Sequence, residues 1–293
     1  MDTRTTYRVI QELGRHESDV KAVLTLKDDA LLACASRDGL ISLWTKQPHG
    51  DESPFGFTTA LRGHNAYVNS LAHIPPENSE SRGWIASGGN STMVLIHSLD
   101  TMQDEPISCL IGHSHNVCAL HYSSSQKLLA SASWDCTARI WKYDGDNWVC
   151  QRVLEGHQQA VWDVKIVAND SWQGPFITAS ADGEIWVWSS EGEPVQRLKC
   201  CPEPVRTIAL LSTGEMASGS NDYVWSVTST SDELVITGGS DGIVRVWQQA
   251  PPGFVEEPAE QQPEEQESDV SEADHDDLGR GCVNHVVIDI DVA

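Results

Sequence analysis

One repeated unit constrains this chain more than anything else in it. Two consecutive copies lie between Gly112 and Trp188. The first opens on Gly112-His113, runs through Leu128-Leu129-Ala130-Ser131-Ala132-Ser133-Trp134-Asp135 and closes on Ala138-Arg139-Ile140-Trp141. The second opens on Gly156-His157, passes Ile177-Thr178-Ala179-Ser180-Ala181-Asp182 and closes on Ile185-Trp186-Val187-Trp188. In both, the Trp follows the Asp by six residues, and the two Asp stand 47 apart. A unit recurring at such a period is one supersecondary module, unable to bury its faces alone and obliged to stack on its neighbours.

The letters of the unit follow from its chemistry. The turn at the Asp joins two strands, and Gly follows it at Asp38-Gly39, Asp182-Gly183 and Asp241-Gly242 because such turns need φ > 0. The polar residues then satisfy one another. An indole N–H only donates and a carboxylate only accepts, so a hydroxyl and an imidazole fit between them. This predicts one buried tetrad of Trp141, Ser131, His113 and Asp135 and a second of Trp188, Thr178, His157 and Asp182. Any of these groups left unpaired would cost roughly 1–3 kcal/mol. A Gly-His opening with a Trp closing resembles the WD40 repeat, in which each unit is a four-stranded antiparallel propeller blade. The expected fold class is all-β, a WD40 β-propeller over residues 1–249.

Residues 7–13 read as a strand that completes the last blade and leaves no open sheet edge. The first full repeat has His16, Asp38 and Trp44, with Cys34 in the hydroxyl's place, so its tetrad is expected to be broken. The second opens at Gly63-His64, carries a surface insertion around 75–83, and puts Asn90 in the Asp place and Ile96 in the Trp place. Packing rather than a polar network should hold it. Further loops are expected at 144–148 and 169–174. A fifth repeat starts at Pro204 and reaches Asp222, but Thr228 stands where a Trp belongs. Tyr223-Val224-Trp225-Ser226-Val227 instead matches the opening strand Ala160-Val161-Trp162-Asp163-Val164, and that repeat finishes at Asp241 and Val246-Trp247. Blade material is therefore missing between Asp222 and Tyr223, which leaves about five to six blades.

Charge narrows the partners. The net charge is −24; residues 254–280 carry a net −10 and residues 282–293 a further −2, so −12 remains on residues 1–253. An acidic surface disfavours nucleic acid and anionic membranes, whose binding draws on Lys and Arg. Residues 250–281 read as a disordered acidic linker. Residues 282–293 alternate like a lone strand, which cannot fold alone, and read as the start of a second domain. The eight Cys form no even framework and suit buried thiols in a reducing compartment. Ser131, His113 and Asp135 have the composition of a hydrolase triad. The trio recurs as Thr178, His157 and Asp182, and serial repetition suits a structural network, not catalysis. His113, His115, Cys118 and His121 could suggest zinc, but on a strand Cys118 and His121 point to opposite faces. Neither metal nor cofactor is expected.

Several blade-specific stretches go beyond a generic propeller. They are His16 with Asp19-Val20, Ile85-Ala86-Ser87-Gly88-Gly89-Asn90, Ser133-Trp134-Asp135-Cys136-Thr137-Ala138, Gly156-His157 with Ala160-Val161-Trp162, and Ser240-Asp241-Gly242-Ile243-Val244-Arg245-Val246. Together they resemble the N-terminal propeller of the phospholipase A-2-activating protein family. The resemblance implies a seven-bladed propeller that binds ubiquitin, a second ubiquitin-binding domain whose first strand residues 282–293 resemble, and a later domain that recruits the valosin-containing-protein-type AAA ATPase. The chain ends before that recruiting domain. A non-catalytic adaptor in ubiquitin-dependent protein degradation and ubiquitin homeostasis, cytoplasmic and nuclear, is the function expected. The alternatives are a general scaffold for other basic partners and a regulator of a phospholipase. Propellers usually bind at the narrow face, through residues flanking the first-strand Val and preceding the turn Asp. Here these are Asp19, Lys21, Arg37, Tyr67, Asn69, Asn116, Trp134, Trp162, Arg206, Tyr223 and Trp225. Trp, Tyr and Arg are the side chains that dominate interface hot spots.

Overall fold

A computed structural model describes residues 9–26, 30–48, 54–76, 81–101, 103–167, 174–199, 204–210, 216–220, 226–229, 235–238 and 244–247. These residues form 21 strands and no helix. Four meandering antiparallel sheets have four strands each. The first is β1 (Val20–Leu26), β2 (Leu31–Ser36), β3 (Ile41–Lys46) and β4 (Phe55–Leu61); the second is β5 (Val68–Ile74), β6 (Trp84–Gly89), β7 (Val94–Ser98) and β8 (Ser108–Leu110). The third is β9 (Val117–Ser123), β10 (Leu128–Ser133), β11 (Thr137–Tyr143) and β12 (Trp148–Glu155); the fourth is β13 (Val161–Ile166), β14 (Phe176–Ser180), β15 (Glu184–Trp188) and β16 (Pro194–Lys199). A two-stranded sheet of β17 (Val205–Leu210) and β18 (Met216–Ser220) follows, then a three-stranded one of β19 (Ser226–Ser229), β20 (Val235–Gly238) and β21 (Val244–Trp247). The architecture is an all-β stack of propeller blades, and among the described residues the sheets do not close into a ring.

The first strands of successive sheets, β1, β5, β9, β13, β17 and β19, lie side by side along the axis. All but β19 share one register irregularity. Val20 pairs with Ser36, Val68 with Gly89, Val117 with Ser133, Val161 with Ser180 and Val205 with Ser220, and the register then shifts. Such a bulge turns one extra side chain away from the blade faces. The bulged residues are Lys21, Asn69, Cys118, Trp162 and Arg206. Apolar residues on either side of the bulge then share a face and pack against the next blade. Leu26, Ile41 and Leu43 bury against Val68 and Ile85; Val94 and Ile96 against Val117, Leu129 and Trp141; Ala138 and Ile140 against Val161, Val164 and Trp188.

Polar groups also bridge the blades. The Leu120 amide donates to Ser70 Oγ at 3.0 Å, the Ile166 amide to His121 Nδ1 at 3.0 Å, and the Ile208 amide to Asp163 Oδ2 at 2.9 Å. Each bond ties one axial strand to the next, so a buried polar group on one blade depends on its neighbour for a partner.

Two expectations are corrected here. Residues 9–13 form no strand; Gln11 instead clamps the Phe55 backbone, with Nε2 donating to its carbonyl at 2.7 Å and Oε1 accepting from its amide at 2.9 Å. In the second blade the frame is one residue later than the sequence suggested. Ser87 occupies the hydroxyl place, so four residues on is Ser91, not Asn90, and ten on is His97, not Ile96. Backbone geometry agrees: the residue after the turn acid has positive φ at Gly39, Cys136 and Gly183, and after Ser91 it is Thr92, at 63°. The sequence reading matched Asn to Asp by chemistry and missed that a hydroxyl can take the carboxylate's place. The expected linker at 250–281 and the fragment at 282–293 lie outside the described residues.

A β-branched residue in the left-handed region is strained by about 1–3 kcal/mol. Thr92→Gly is therefore expected to raise thermal stability, by about 1 kcal/mol after the entropy cost of glycine. A calorimetric melt checks it, and a lowered melting temperature would contradict it.

Candidate protein-binding face

The face rests on a polar frame inside each of the first four blades. In the third, Trp141 Nε1 donates to Ser131 Oγ at 2.9 Å, Ser131 meets His113 Nε2 at 2.8 Å, and His113 Nδ1 meets Asp135 Oδ2 at 2.8 Å. The fourth holds Trp188, Thr178, His157 and Asp182 at 2.8 Å for each contact. Direction follows from chemistry: the indole occupies the hydroxyl as donor, the hydroxyl proton goes to Nε2, and Nδ1–H donates to the carboxylate. Asp135 then gathers the Thr137 hydroxyl and the Ser114 and Thr137 amides. Burial pushes its carboxyl up, but the bonds from His113 and Thr137 outweigh burial and hold it well below the usual range. Burial pushes His157 down, against the pull of Asp182.

The first blade corrects a further expectation. Cys34 offers no hydroxyl, yet the tetrad is intact, because Ser42 lies opposite Cys34 on the neighbouring strand. Ser42 Oγ meets His16 Nε2 at 2.8 Å and accepts from Trp44 Nε1 at 2.9 Å, while His16 Nδ1 meets Asp38 Oδ2 at 2.8 Å. The second blade keeps a shorter network: His64 lies 2.9 Å from Ser87 Oγ and 2.6 Å from Ser91 Oγ. His97, in the Trp place, turns away and bonds the Arg62 carbonyl at 2.7 Å. One strand's residues can supply a group missing from the next, which a reading of each strand separately does not show.

At one end of the blades, a repeated backbone bond joins the residue after β2, β6, β10 or β14 to the residue before the axial strand of the same blade. Arg37 N donates to Asp19 O at 2.9 Å, Asn90 N to Tyr67 O at 2.9 Å, Trp134 N to Asn116 O at 3.0 Å and Ala181 N to Ala160 O at 2.9 Å. This bond brings the predicted face residues together in pairs. Arg37 bonds Asp19 at 3.1 Å and reaches over the Tyr67 ring at 5.5 Å. Asn69 Nδ2 donates to Asn116 Oδ1 at 2.7 Å, which leaves Asn116 buried. Trp134 is exposed, with the His115 ring 5.5 Å away, and Tyr67 is exposed as well. Arg206 stacks on Trp162 at 3.9 Å, and the Trp162 indole N–H, itself buried, has no acceptor among the described residues. Lys21 projects from the bulge of β1 into solvent. Tyr223 and Trp225 lie outside the described residues.

The other chemistries find less support. Ser131 is wholly buried and its oxygen already accepts from Trp141, so a substrate cannot reach it. His113, His115 and His121 part company: His113 faces Asp135, His115 faces Trp134, and His121 accepts from the Ile166 amide. Among the described residues no three His, Cys, Asp or Glu converge as a metal site. A cavity of about 560 Å³ opens at the opposite end of the second and third blades, walled by Trp84, Tyr122, Tyr143 and Trp148. Sequence reading missed it, because its aromatics stand at strand ends with no shared spacing.

The profile of the family described as "WD domain, G-beta repeat" matches residues 7–45, 56–97, 104–142, 148–189 and 192–248. The chain is 31% identical over 301 residues to the ubiquitin homeostasis protein lub1 of Schizosaccharomyces pombe, covering 83% of this chain and 40% of that protein. It is 35% identical over 163 residues to the phospholipase A-2-activating protein of Xenopus laevis, covering 55% of this chain and 19% of that one. It is 31% identical over 163 residues to Protein DOA1 of Saccharomyces cerevisiae, covering 55% and 20%. The chain therefore spans less than half the length of these relatives. The crystal structure of the WD40 beta propeller domain of Doa1 superposes with a TM-score of 0.59 at 25% identity, covering 81% of this chain and 95% of that one.

Two predictions follow from the polar frame. Ser42→Ala should cost roughly 1–3 kcal/mol, because it strands both His16 Nε2 and Trp44 Nε1. Adding Cys34→Ser should restore much of that loss by returning a hydroxyl to the place the other blades use; urea unfolding of the three variants checks this, and strict additivity would contradict it. The second concerns pH. Burial, helped by His97 and Lys165 respectively, pushes His64 and His121 down to about 4. The unfolded chain takes up those protons near pH 6.5 and the folded chain does not, so stability is full above about 6.5 and falls as pH drops toward 4. At pH 5 each costs up to about 2 kcal/mol, visible as a falling melting temperature between pH 7 and 5; a flat profile would contradict it.

Proposed function

The chain belongs to the WD domain, G-beta repeat family, and from that premise we propose that it is a non-catalytic adaptor whose narrow face binds ubiquitin and ubiquitinated proteins. The observation that carries this reading is the paired face: exposed Trp134 and Tyr67, with Arg37 and Arg206 laid on aromatic rings. Rigid aromatic and Arg side chains give large contact area at low entropy cost. Ubiquitin offers a small apolar patch with a basic rim, which suits aromatics on a chain of net charge −24. Similarity to a ubiquitin homeostasis protein and to Doa1 supports ubiquitin over other basic partners.

The reading extends to ubiquitin-dependent degradation alongside a valosin-containing-protein-type AAA ATPase, in cytoplasm and nucleus, with residues 250–281 as an acidic linker and 282–293 as the first strand of a second ubiquitin-binding domain. These parts rest on the family resemblance. The wholly buried Ser131 supports the non-catalytic half of the proposal.

Titrating isotope-labelled ubiquitin with the chain should shift amides around the apolar patch of ubiquitin. Trp134→Ala combined with Tyr67→Ala should weaken binding by about 30-fold or more, as loss of a hot spot does. No shifts at high micromolar chain, or undiminished binding by the double variant, would overturn the reading.

A further inference from the structure

The cavity at the far end of the second and third blades is built by the rungs that close two hairpins. Trp84 pairs with Ile74 on the last rung between β5 and β6, and Tyr143 with Trp148 on the last rung between β11 and β12. The three rings meet across the two blades. Trp84 stands edge-on to Tyr143, with centroids 4.9 Å apart at 79°, and to Trp148 at 6.2 Å and 66°; Tyr143 and Trp148 lie 5.6 Å apart. Rings so inclined present faces in several directions. With Tyr122 and Pro76 they wall about 560 Å³, within the roughly 300–1,000 Å³ of binding pockets.

Hydrogen bonding separates this cluster from an ordinary aromatic core. The indole N–H groups of Trp44, Trp141, Trp186 and Trp188 are all spent on side-chain oxygens. Those of Trp84 and Trp148 meet no acceptor among the described residues, in side chains only half-buried. At the mouth, Asp144 Oδ1 takes the Asp146 and Asn147 amides at 3.0 and 2.8 Å, which fixes the turn, while Oδ2 accepts no bond among the described residues.

We propose that this cavity docks a proline-rich segment of a partner protein, with an Arg or Lys beside the prolines. A polyproline II strand makes no internal hydrogen bonds, and its proline carbonyls stay free with no N–H to satisfy. It therefore needs what the walls offer: donors from Trp84 and Trp148, and flat apolar faces for pyrrolidine rings. The preset peptide backbone and the packed rings both lose little freedom on docking. Charge sets the flanking residue. Asp144 and nearby Asp146 keep carboxylate oxygens unspent among the described residues, Lys127 on the wall is already engaged, and the net charge of −24 draws a cation in. The same charge disfavours the chain's own segment from Pro251 to Pro263, which carries Glu256, Glu257 and Glu260 and no base.

Fluorescence anisotropy of a labelled oligoproline peptide ending in Arg-Arg, titrated with the full chain, tests the proposal. Saturable binding is expected, tighter than that of an Ala-Gly peptide ending in the same Arg-Arg. Trp148→Phe keeps a ring and removes the donor, and should weaken binding about fivefold, the worth of one hydrogen bond. Trp84→Phe does the same from the other blade. Asp144→Asn keeps Oδ1 for the turn, and should weaken the Arg-Arg peptide about threefold at low salt while leaving plain oligoproline unchanged. The three variants should keep the parent melting temperature. No saturable binding, equal binding of the Ala-Gly peptide, or binding undiminished by the folded indole variants would overturn the proposal. Binding seen only after Pro251, Pro252, Pro258 and Pro263 are replaced by Ala would make the chain's own segment the occupant, and would overturn it as well.

Discussion

The chain of indole, hydroxyl, imidazole and carboxylate inside the first, third and fourth blades is the interaction on which the rest depends. It fixes the third strand to the second through Trp and Ser or Thr, and the second strand to the loop before the first through His and Asp. Four buried polar groups that would each be costly alone become a rigid brace when all are paired. The first blade shows how strongly the arrangement is favoured. With the hydroxyl lost to Cys34, Ser42 supplies it from across the ladder, and the His–Asp bond keeps its 2.8 Å length. The second blade, with Ser91 for Asp and His97 for Trp, keeps only the middle of the chain.

The brace is joined to the face by two backbone devices. The Asp of the tetrad sits one residue after the position whose amide reaches the loop before the axial strand of its own blade, so fixing Asp38, Asp135 and Asp182 also places Arg37, Trp134 and Ala181. The bulges of β1, β5, β13 and β17 re-aim Lys21, Asn69, Trp162 and Arg206 away from the blade faces. Interior order thereby becomes surface position: Trp162 and Arg206 come from different sheets and still stack at 3.9 Å. A preorganised face of this kind loses little freedom when a partner arrives.

Much of this was legible in the letters because it repeats. Gly-His, the hydroxyl, Asp and Trp recur at fixed spacing, and from them the sheets, the turns with positive φ and two tetrads can be written down before any coordinate is known. What escaped depends on relations between strands or between blades. Ser42 rescues the first blade only because it lies across from Cys34, a matter of register. The frame of the second blade was read one residue early because Asn90 looks more like Asp than Ser91 does, while Thr92 at φ 63° marks the true turn. The N-terminal segment has strand-like alternation, but Gln11 binds the Phe55 backbone through its side chain, outside the ladder. The aromatic-walled cavity draws Trp84 and Trp148 from two blades, and no single-chain periodicity announces such a site.

The central claim is that a braced stack of blades offers one end, and not the other, to ubiquitin. Hydrogen-exchange mass spectrometry of the chain with and without saturating ubiquitin tests that most directly. The account predicts slowed exchange in the segments around Asp19, Tyr67, Asn116 and Trp134, with the tetrad strands equally protected in both states. Protection confined to the cavity walled by Trp84 and Trp148, or no change anywhere, would contradict it.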